Sequence, residues 1–254
     1  MKTAFSQPVK YMATLLPIKH TALHYQHLAL GATMMDDNGW QRPERYRPPE
    51  EELKVVWERI GLCDISPVGK LDCKGQQVAP VFERLFSPSS LPPIGHVQRV
   101  ALKSDNDMSG AEAICCRLES DHLLLLMEPG ALAAVEQAFT QPMEAKDGCF
   151  HLTNLTSALA AVQLVGPHSR ELLRKLTALD LSPQRFVDLT CAQGSVAKVH
   201  ALVIRADVGS QLAYEIYCGR EFTEYLWDTL RDAGQEFGAM PFGVTTQRRL
   251  RAEK

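Results

Sequence analysis

Strand-forming and helix-forming segments alternate along this chain without the regular strand–helix–strand spacing of a parallel sheet. Residues Val97–Leu102, 111–118 and His122–Met127 read as successive strands, and the polar, glycine-containing stretch 104–110 reads as a hairpin turn between the first two. Pro48-Pro49-Glu50-Glu51-Glu52 opens a helix with acids in its first turn, and Val55, Val56 and Ile60 form an apolar stripe that Gly61 closes. Residues 62–74 read as a strand-pair region and 76–86 as a second amphipathic helix ended by Ser87-Pro88. Pro129-Gly130 starts a helix that runs to Phe139. After a loop at 141–148, strand Leu159–Val165 ends at Gly166-Pro167, where the proline suits the first turn of a helix carrying Leu172, Leu173 and Leu176. Long strands at 195–206 and 211–218 precede a helix at 221–233 closed by Gly234.

This pattern predicts an α+β fold of two interleaved lobes, each a mostly antiparallel sheet with packed helices. Residues 1–60 and 150–242 are expected to form a discontinuous first lobe, and 61–149 an inserted second lobe. Residues 243–254 form a basic C-terminal tail, with Arg248, Arg249, Arg251 and Lys254, read as a solvated end or the start of a further element.

A chain of 254 residues buries roughly 75% of its unfolded surface and needs no disulfide or metal to fold. The 27 Lys+Arg against 30 Asp+Glu leave a net charge of −3, which gives no electrostatic footprint for nucleic acid or an anionic membrane. The seven cysteines are an odd count with no Cys-x-x-Cys spacing, and they sit mostly in apolar stretches, as buried thiols of a reducing compartment do. Cys115 and Cys116 are adjacent, but on a strand they point to opposite faces, which argues against a redox pair. The apolar run at 11–18 contains Pro17 and lacks a small-residue cleavage site, and no stretch approaches the ~20 apolar residues of a membrane span. A cytoplasmic location is expected, with no nucleic-acid or membrane partner.

No phosphate-binding glycine loop and no Gly-x-Ser-x-Gly elbow is present. His20, His24 and His27 would share one face of a helix, but no nearby cysteine or acid completes a ligand set, so a structural or interfacial role is expected and no metal. Two carboxylates stand out. Glu215, in Tyr214-Glu215-Ile216-Tyr217, lies in an apolar strand: either on an edge with its carboxylate in solvent, or buried as an acceptor for a ligand with two adjacent N–H donors. Glu112, between Ala111 and Ala113 just after the hairpin turn, is either a solvated carboxylate or a functional one.

Several collinear segments resemble the aminomethyltransferase family, the T-protein of the glycine cleavage system. They are Thr21-x-Leu23-x-x-x-His27-Leu28-Ala29-Leu30-Gly31-Ala32-x-Met34, Asp36-x-x-Gly39-Trp40-x-x-Pro43-x-x-Tyr46 and Gly61-Leu62-Cys63-Asp64-Ile65-Ser66-x-x-Gly69. Gln163-Leu164-Val165-Gly166-Pro167 with Arg170, then Tyr214-Glu215-Ile216-Tyr217 with Leu226-Trp227, and finally Gly243 with Leu250-Arg251-x-Glu253, follow in order. The resemblance implies a two-lobed folate-binding unit with tetrahydrofolate as one-carbon acceptor. It implies that Glu215 grips the pterin ring, whose N–H and exocyclic amine suit a bidentate carboxylate. It also places Glu112 where the family carries a catalytic aspartate that positions and activates the accepting nitrogen.

The sequence departs from the family at several of these positions. Glu112 is one methylene longer than aspartate, Pro67 replaces a histidine, and Arg99 and Val208 fall where tyrosines are usual. A family arginine falls on Gln247, so Arg248 or Arg251 is expected to supply the charge for the folate tail. The family's C-terminal β-barrel lobe has no counterpart here, so a barrel-bearing partner subunit or a homo-oligomer is expected to supply the missing wall, and a lipoyl carrier protein is a further expected partner. The implied activity is compact aminomethyl transfer to tetrahydrofolate; the alternatives are a non-catalytic folate-binding module or subunit, and a fold-only interaction protein.

Overall fold

The structure, a computed structural model, describes residues 18–103, 110–140 and 149–252. Residues 104–109 of the expected hairpin turn at 104–110, the loop at 141–148 and residues 11–17 of the apolar run at 11–18 lie outside these residues. In chain order, β1 (Lys19–His20) and α1 (His24–Ala29) precede the hairpin β2 (Thr33–Asp37) and β3 (Trp40–Arg45). Then come α2 (Pro49–Glu58), β4 (Gly61–Asp64), β5 (Gly69–Lys74), α3 (Val78–Leu85) and β6 (Phe86–Ser87). A meander β7 (Val97–Leu102), β8 (Glu112–Glu119) and β9 (His122–Met127) leads through a short 3-10 turn to α4 (Leu132–Phe139) and β10 (His151–Asn154). The chain continues with β11 (Leu159–Val165), α5 (Ser169–Leu176), β12 (Thr190–Val196), β13 (Val199–Arg205) and β14 (Ala213–Gly219). It closes with α6 (Thr223–Gly234), β15 (Met240–Pro241) and α7 (Val244–Ala252).

Two six-stranded sheets carry the fold, ordered β12-β13-β14-β11-β4-β15 and β10-β5-β9-β8-β7-β6. Every pairing within them is antiparallel except β15 with β4. The sheets face each other across a core that includes Cys63, Ile204 and Tyr217 from one and Val97, Cys116 and Leu124 from the other. On its outer face the first sheet packs Val162, Val203 and Ile216 against Leu172, Leu173, Leu226 and Trp227 of α5 and α6. On the second, Leu71, Leu123 and Leu125 pack against Val81 and Phe82 of α3 and Val135 of α4. The result is four layers, helix–sheet–sheet–helix. Alternation along β8 accounts for Cys115 and Cys116, which enter opposite cores.

Three expectations are corrected. The single long strand over 195–206 is two strands, because Ala197 (φ 50°) and Lys198 (φ 66°) form a tight reversal that pairs Val196 with Val199. The strand-pair region 62–74 is two strands in different sheets: β4 pairs with β11 and β5 with β9, so the turn between them carries the chain from one sheet to the other. His20 lies on β1 rather than on α1, although its ring stacks on His24 with centroids 3.9 Å apart. The basic tail is a packed helix. α7 rests on β3 and α2, with Thr246, Gln247 and Leu250 buried.

The turn from β11 into α5 depends on Gly166, whose φ of +131° and close approach to backbone oxygens of Arg59 and Val56, 2.3 and 2.6 Å from an ideal Cβ, exclude a side chain. Gly166→Ala is expected to lower unfolding free energy by about 3 kcal/mol in urea titration, through combined backbone strain and overpacking.

Candidate functional site

Glu215 lies at the middle of β14, which is flanked by β13 and β11, so the edge-strand alternative is excluded. Its carboxyl points into the core between the sheets and is 6% exposed. Opposite it across β11 sits Gln163, whose Nε2 donates to Glu215 Oε1 at 3.3 Å. Tyr217, two residues along the same face, donates its hydroxyl to Oε2 at 2.7 Å. Burial is the largest influence on this carboxyl and raises its pKa; the Tyr217 donor and the Arg251 and Arg99 charges oppose the rise, and Glu128 adds to it. Among the described residues Glu215 forms no ion pair.

A line of buried polar groups extends from Gln163 away from Glu215. Gln247 Nε2 donates to Gln163 Oε1 at 3.3 Å, Arg42 Nη2 to Gln247 Oε1 at 3.2 Å, and Arg42 Nη1 to Asp37 Oδ2 at 2.7 Å. Lys70, near the start of β5, is fully buried and donates to the carbonyls of Ser66 and Val68 in the preceding turn at 2.7 and 2.8 Å. Its ammonium stands 6.0 Å from the Tyr217 ring centre. Burial lowers its pKa to about 8 against the pull of Asp64 and Glu215.

Arg248 donates to Asp37 Oδ1 at 2.9 Å, and Arg251 pairs with Glu128 at the end of β9. Both are on α7 with Gln247, so this helix brings the three positions together, but only Gln247 turns inward. Glu112 begins β8, pairs in register with Ala101 and is exposed. Alternation puts it on the face of β8 that carries Ile114 and Cys116 toward the inter-sheet core, the same core that Glu215 enters. Val208 packs at the edge of that core, and Arg99 is exposed on β7.

Two further buried carboxylates set the frame. Glu52 of α2 accepts from the amides of Tyr46 (2.6 Å), Arg47 (3.2 Å) and Gly243 (3.1 Å) and from the Thr246 hydroxyl (2.5 Å), so an anion stands against the first turn of α7. Asp64 Oδ2 meets His27 Nε2 at 3.0 Å while His27 Nδ1 meets the Tyr46 hydroxyl at 2.7 Å. This arrangement takes Tyr46 as donor to the ring and the ring as donor to Asp64. Burial opposes ionisation of Asp64, but the hydrogen bond and charge of His27 and the bond from the Ser66 amide at 2.9 Å overcome it and hold the carboxyl down to about 2. No group of three or more His, Cys, Asp and Glu suited to a metal ion occurs among the described residues, and no helix among them is long and apolar enough to cross a membrane.

Sequence reasoning passed over Gln163, Arg42 and Lys70. Gln163 carried a signal: it is the single amide in the otherwise apolar strand Leu159–Val165. Arg42 carried none, because its relation to Gln247 spans 205 positions.

This architecture defines a class of protein. The GCVT N-terminal domain family matches residues 23–254, and the chain belongs to that family. It is 30% identical over 258 residues to sarcosine oxidase subunit alpha of Corynebacterium sp. (strain U-96), covering 94% of this chain and 26% of that protein. It is 27% identical over 237 residues to the aminomethyltransferase of Anoxybacillus flavithermus, covering 93% of this chain and 64% of that one. The chain thus spans less than two thirds of the length of these curated relatives. Aminomethyltransferase T of the glycine cleavage system from Bartonella henselae superposes with a TM-score of 0.78 at 18% identity, over 92% of this chain and 62% of that one. A chain of heterotetrameric sarcosine oxidase from Corynebacterium sp. U-96 superposes with a TM-score of 0.58 at 21% identity, over 87% of this chain and 97% of that chain. The α+β fold is therefore that of the aminomethyltransferase T-protein.

The depressed Asp64 pKa gives a signed expectation. Stability from this group is present above pH 3.8 and is lost as pH falls toward 2, so Asp64→Asn should remove about 2 kcal/mol of the pH dependence over that interval, read from urea midpoints at pH 2 to 5.

Proposed function

We propose that this chain is a folate-binding unit that holds tetrahydrofolate by its pterin ring on Glu215 and serves one-carbon, aminomethyl, transfer. One observation carries the reading: a desolvated carboxyl in a central strand whose hydrogen-bond donors are the neutral groups Gln163 and Tyr217. Each oxygen accepts one bond from the protein and keeps capacity for another. A neutral heterocycle with a ring N–H beside an exocyclic amine fits this pair of acceptors, as in bidentate recognition of a carboxylate. The ligand's donors then replace the solvation that burial removed.

The other candidate residues take roles consistent with their places. Glu112 stands at the open start of β8 and is proposed to hold the proton of the accepting nitrogen, a general acid–base task for an exposed carboxylate. Bound tetrahydrofolate supplies that nitrogen as the one-carbon acceptor. Arg248 and Arg251 are proposed to receive the anionic tail. Their side chains are 59% and 40% exposed; Arg251 would exchange the surface carboxylate of Glu128 for a ligand carboxylate at little cost, and Asp37, the buried partner of Arg248, keeps Arg42 as a donor.

A second reading has an observation of its own. A chain of the heterotetrameric sarcosine oxidase is covered over 97% of its length, so in that complex a chain of nearly this extent is a separate subunit. On this reading the protein holds folate within a larger assembly. A barrel-bearing subunit, a second copy of the chain or a lipoyl carrier protein would then contribute what is needed for turnover.

Calorimetric titration with tetrahydrofolate tests the first reading. Wild type is expected to bind, and Glu215→Gln to weaken binding about 100-fold, the equivalent of losing one charge-assisted contact. Glu215→Gln should fold at pH 7 with stability no lower than wild type. A raised folded-state pKa means that the carboxyl favours the folded state below its unfolded pKa, and that this contribution is lost as pH rises through the folded value. Wild-type affinity should rise with pH as Glu215 ionises and then level off. Absence of binding at millimolar tetrahydrofolate would remove the reading.

Glu112 is tested separately. In an assay with a lipoyl-linked aminomethyl donor, Glu112→Gln is expected to lower turnover about 100-fold with tetrahydrofolate affinity unchanged. Equal rates would remove Glu112 from the chemistry.

A further inference from the structure

Six buried or half-buried groups from five elements stand in series: Asp37 on β2, Arg42 on β3, Gln247 on α7, Gln163 on β11, and Glu215 and Tyr217 on β14. The order of donors along this series is dictated by one member. A guanidinium has only donors. Gln247 must therefore turn its carbonyl oxygen to Arg42, and its amide N–H then faces Gln163. Gln163 must in turn present its oxygen to Gln247 and its N–H to Glu215. Reversing either amide would set N–H against N–H at one end and oxygen against oxygen at the other, inside a core where an unmade hydrogen bond costs about 1–3 kcal/mol. Arg42 is itself anchored by Asp37, which also accepts from Arg248.

We propose that Arg42 is a positioning residue for Glu215: through Gln247 and Gln163, its donor-only guanidinium sets the direction of the relay, so that a hydrogen-bond donor always faces Glu215 and its carboxyl is held as an acceptor. The inference rests on the folate reading for its use, since an acceptor is what a pterin edge requires. The relay itself is a property of the unliganded chain. Arg42 touches neither the pterin-facing oxygens nor any ligand atom in this proposal; it acts through two amides. The charged and titratable groups around Glu215 come from every neighbouring layer: Lys70 on β5, Arg99 on β7, Cys116 on β8, Glu128 after β9, Arg251 on α7 and Tyr217 on β14. Of these, Tyr217 alone hydrogen-bonds to Glu215; the rest act through space. Gln163 supplies the other bond, and its direction is what Arg42 sets.

The test reads the ionisation of Glu215 directly, from the carboxyl band in infrared difference spectra against Glu215→Gln across pH, with thermal unfolding as a fold control. In Gln247→Glu, Arg42 keeps a partner, but residue 247 now offers only acceptors to Gln163. The Gln163 amide is expected to reverse, and its oxygen then faces Glu215. The midpoint of Glu215 should move up by about one pH unit, a ten-fold change in its ionisation constant. Arg42→Met should move it in the same direction by less, because the relay loses its direction without being reversed. The double variant Arg42→Met/Gln247→Arg places a donor-only group one step nearer and should return the midpoint toward wild type. A purely structural role for Arg42 would lower thermal stability without this ordered pattern of midpoints. An unmoved midpoint in folded Gln247→Glu, or in folded Arg42→Met, overturns the proposal. The two variants are read independently, so loss of fold in one leaves the other decisive. Tetrahydrofolate titrations of the same proteins separate the two ideas. Shifted midpoints without binding in wild type would retain the relay and discard the folate reading; binding with unshifted midpoints would do the reverse.

Discussion

A carboxyl group in the middle of a central strand is the constraint around which this molecule is arranged. Desolvating Glu215 disfavours its charge, and no ion pair among the described residues offsets that cost. The compensation is distributed. Tyr217 donates from the same strand, Gln163 from the neighbouring strand, and Gln247 and Arg42 support Gln163 from a helix and a distant hairpin. Each contact is a bond of ordinary or long length, and the series works only if all of its members are in place. The relative placement of β3, α7, β11 and β14 is thus tied to one acceptor.

The frame that holds these elements is also built from buried carboxylates, used in a different way. Glu52 accepts from four donors and ties α2 to the start of α7 and to the segment after β3. Asp64 is held ionised by His27 and Ser66 at the end of β4, where the chain crosses from one sheet to the other. Glu52 accepts two bonds on each oxygen, and Asp64 accepts one on each. Glu215 differs in its partners, which are the neutral amide of Gln163 and the hydroxyl of Tyr217, whereas Glu52 meets four donors and Asp64 meets the His27 ring. α7 follows from the same logic. The basic end of the chain packs because its buried face carries Thr246, Gln247 and Leu250, while Arg248 and Arg249 remain outside and pair with Asp37 and Glu50.

Much of the secondary structure was legible from local pattern. The strands Val97–Leu102, His122–Met127 and Leu159–Val165 are as read, because runs of β-branched and leucine residues bounded by turn signals leave little choice of period. The hairpin joining β12 and β13 was not legible. Its two turn residues are Ala197 and Lys198, and neither carries the asparagine or glycine signature of a left-handed turn. The division of 62–74 between two sheets was hidden for another reason: strand propensity does not say which neighbour a strand will find. At the site, Glu215 was legible as an acid in an apolar strand, and its burial was not. Arg42 gave no local cue at all. Its meaning comes from Gln247, a residue that the sequence shows only as a missing arginine.

The amino-acid sequence by itself determined the period of each segment, the membership in the GCVT N-terminal domain family and the presence of an acid, Glu215, within an apolar strand. These are properties of spacing and composition, which short-range sterics and the hydrophobic effect translate directly into local structure. Tertiary structure alone decided that β14 is central, that Gln163 stands opposite Glu215, and that Arg42 meets Gln247 across the molecule. The reason is physical. Whether a buried polar atom is satisfied depends on donors brought in from other elements, and hydrogen bonds of fixed reach and direction have no signature along the chain.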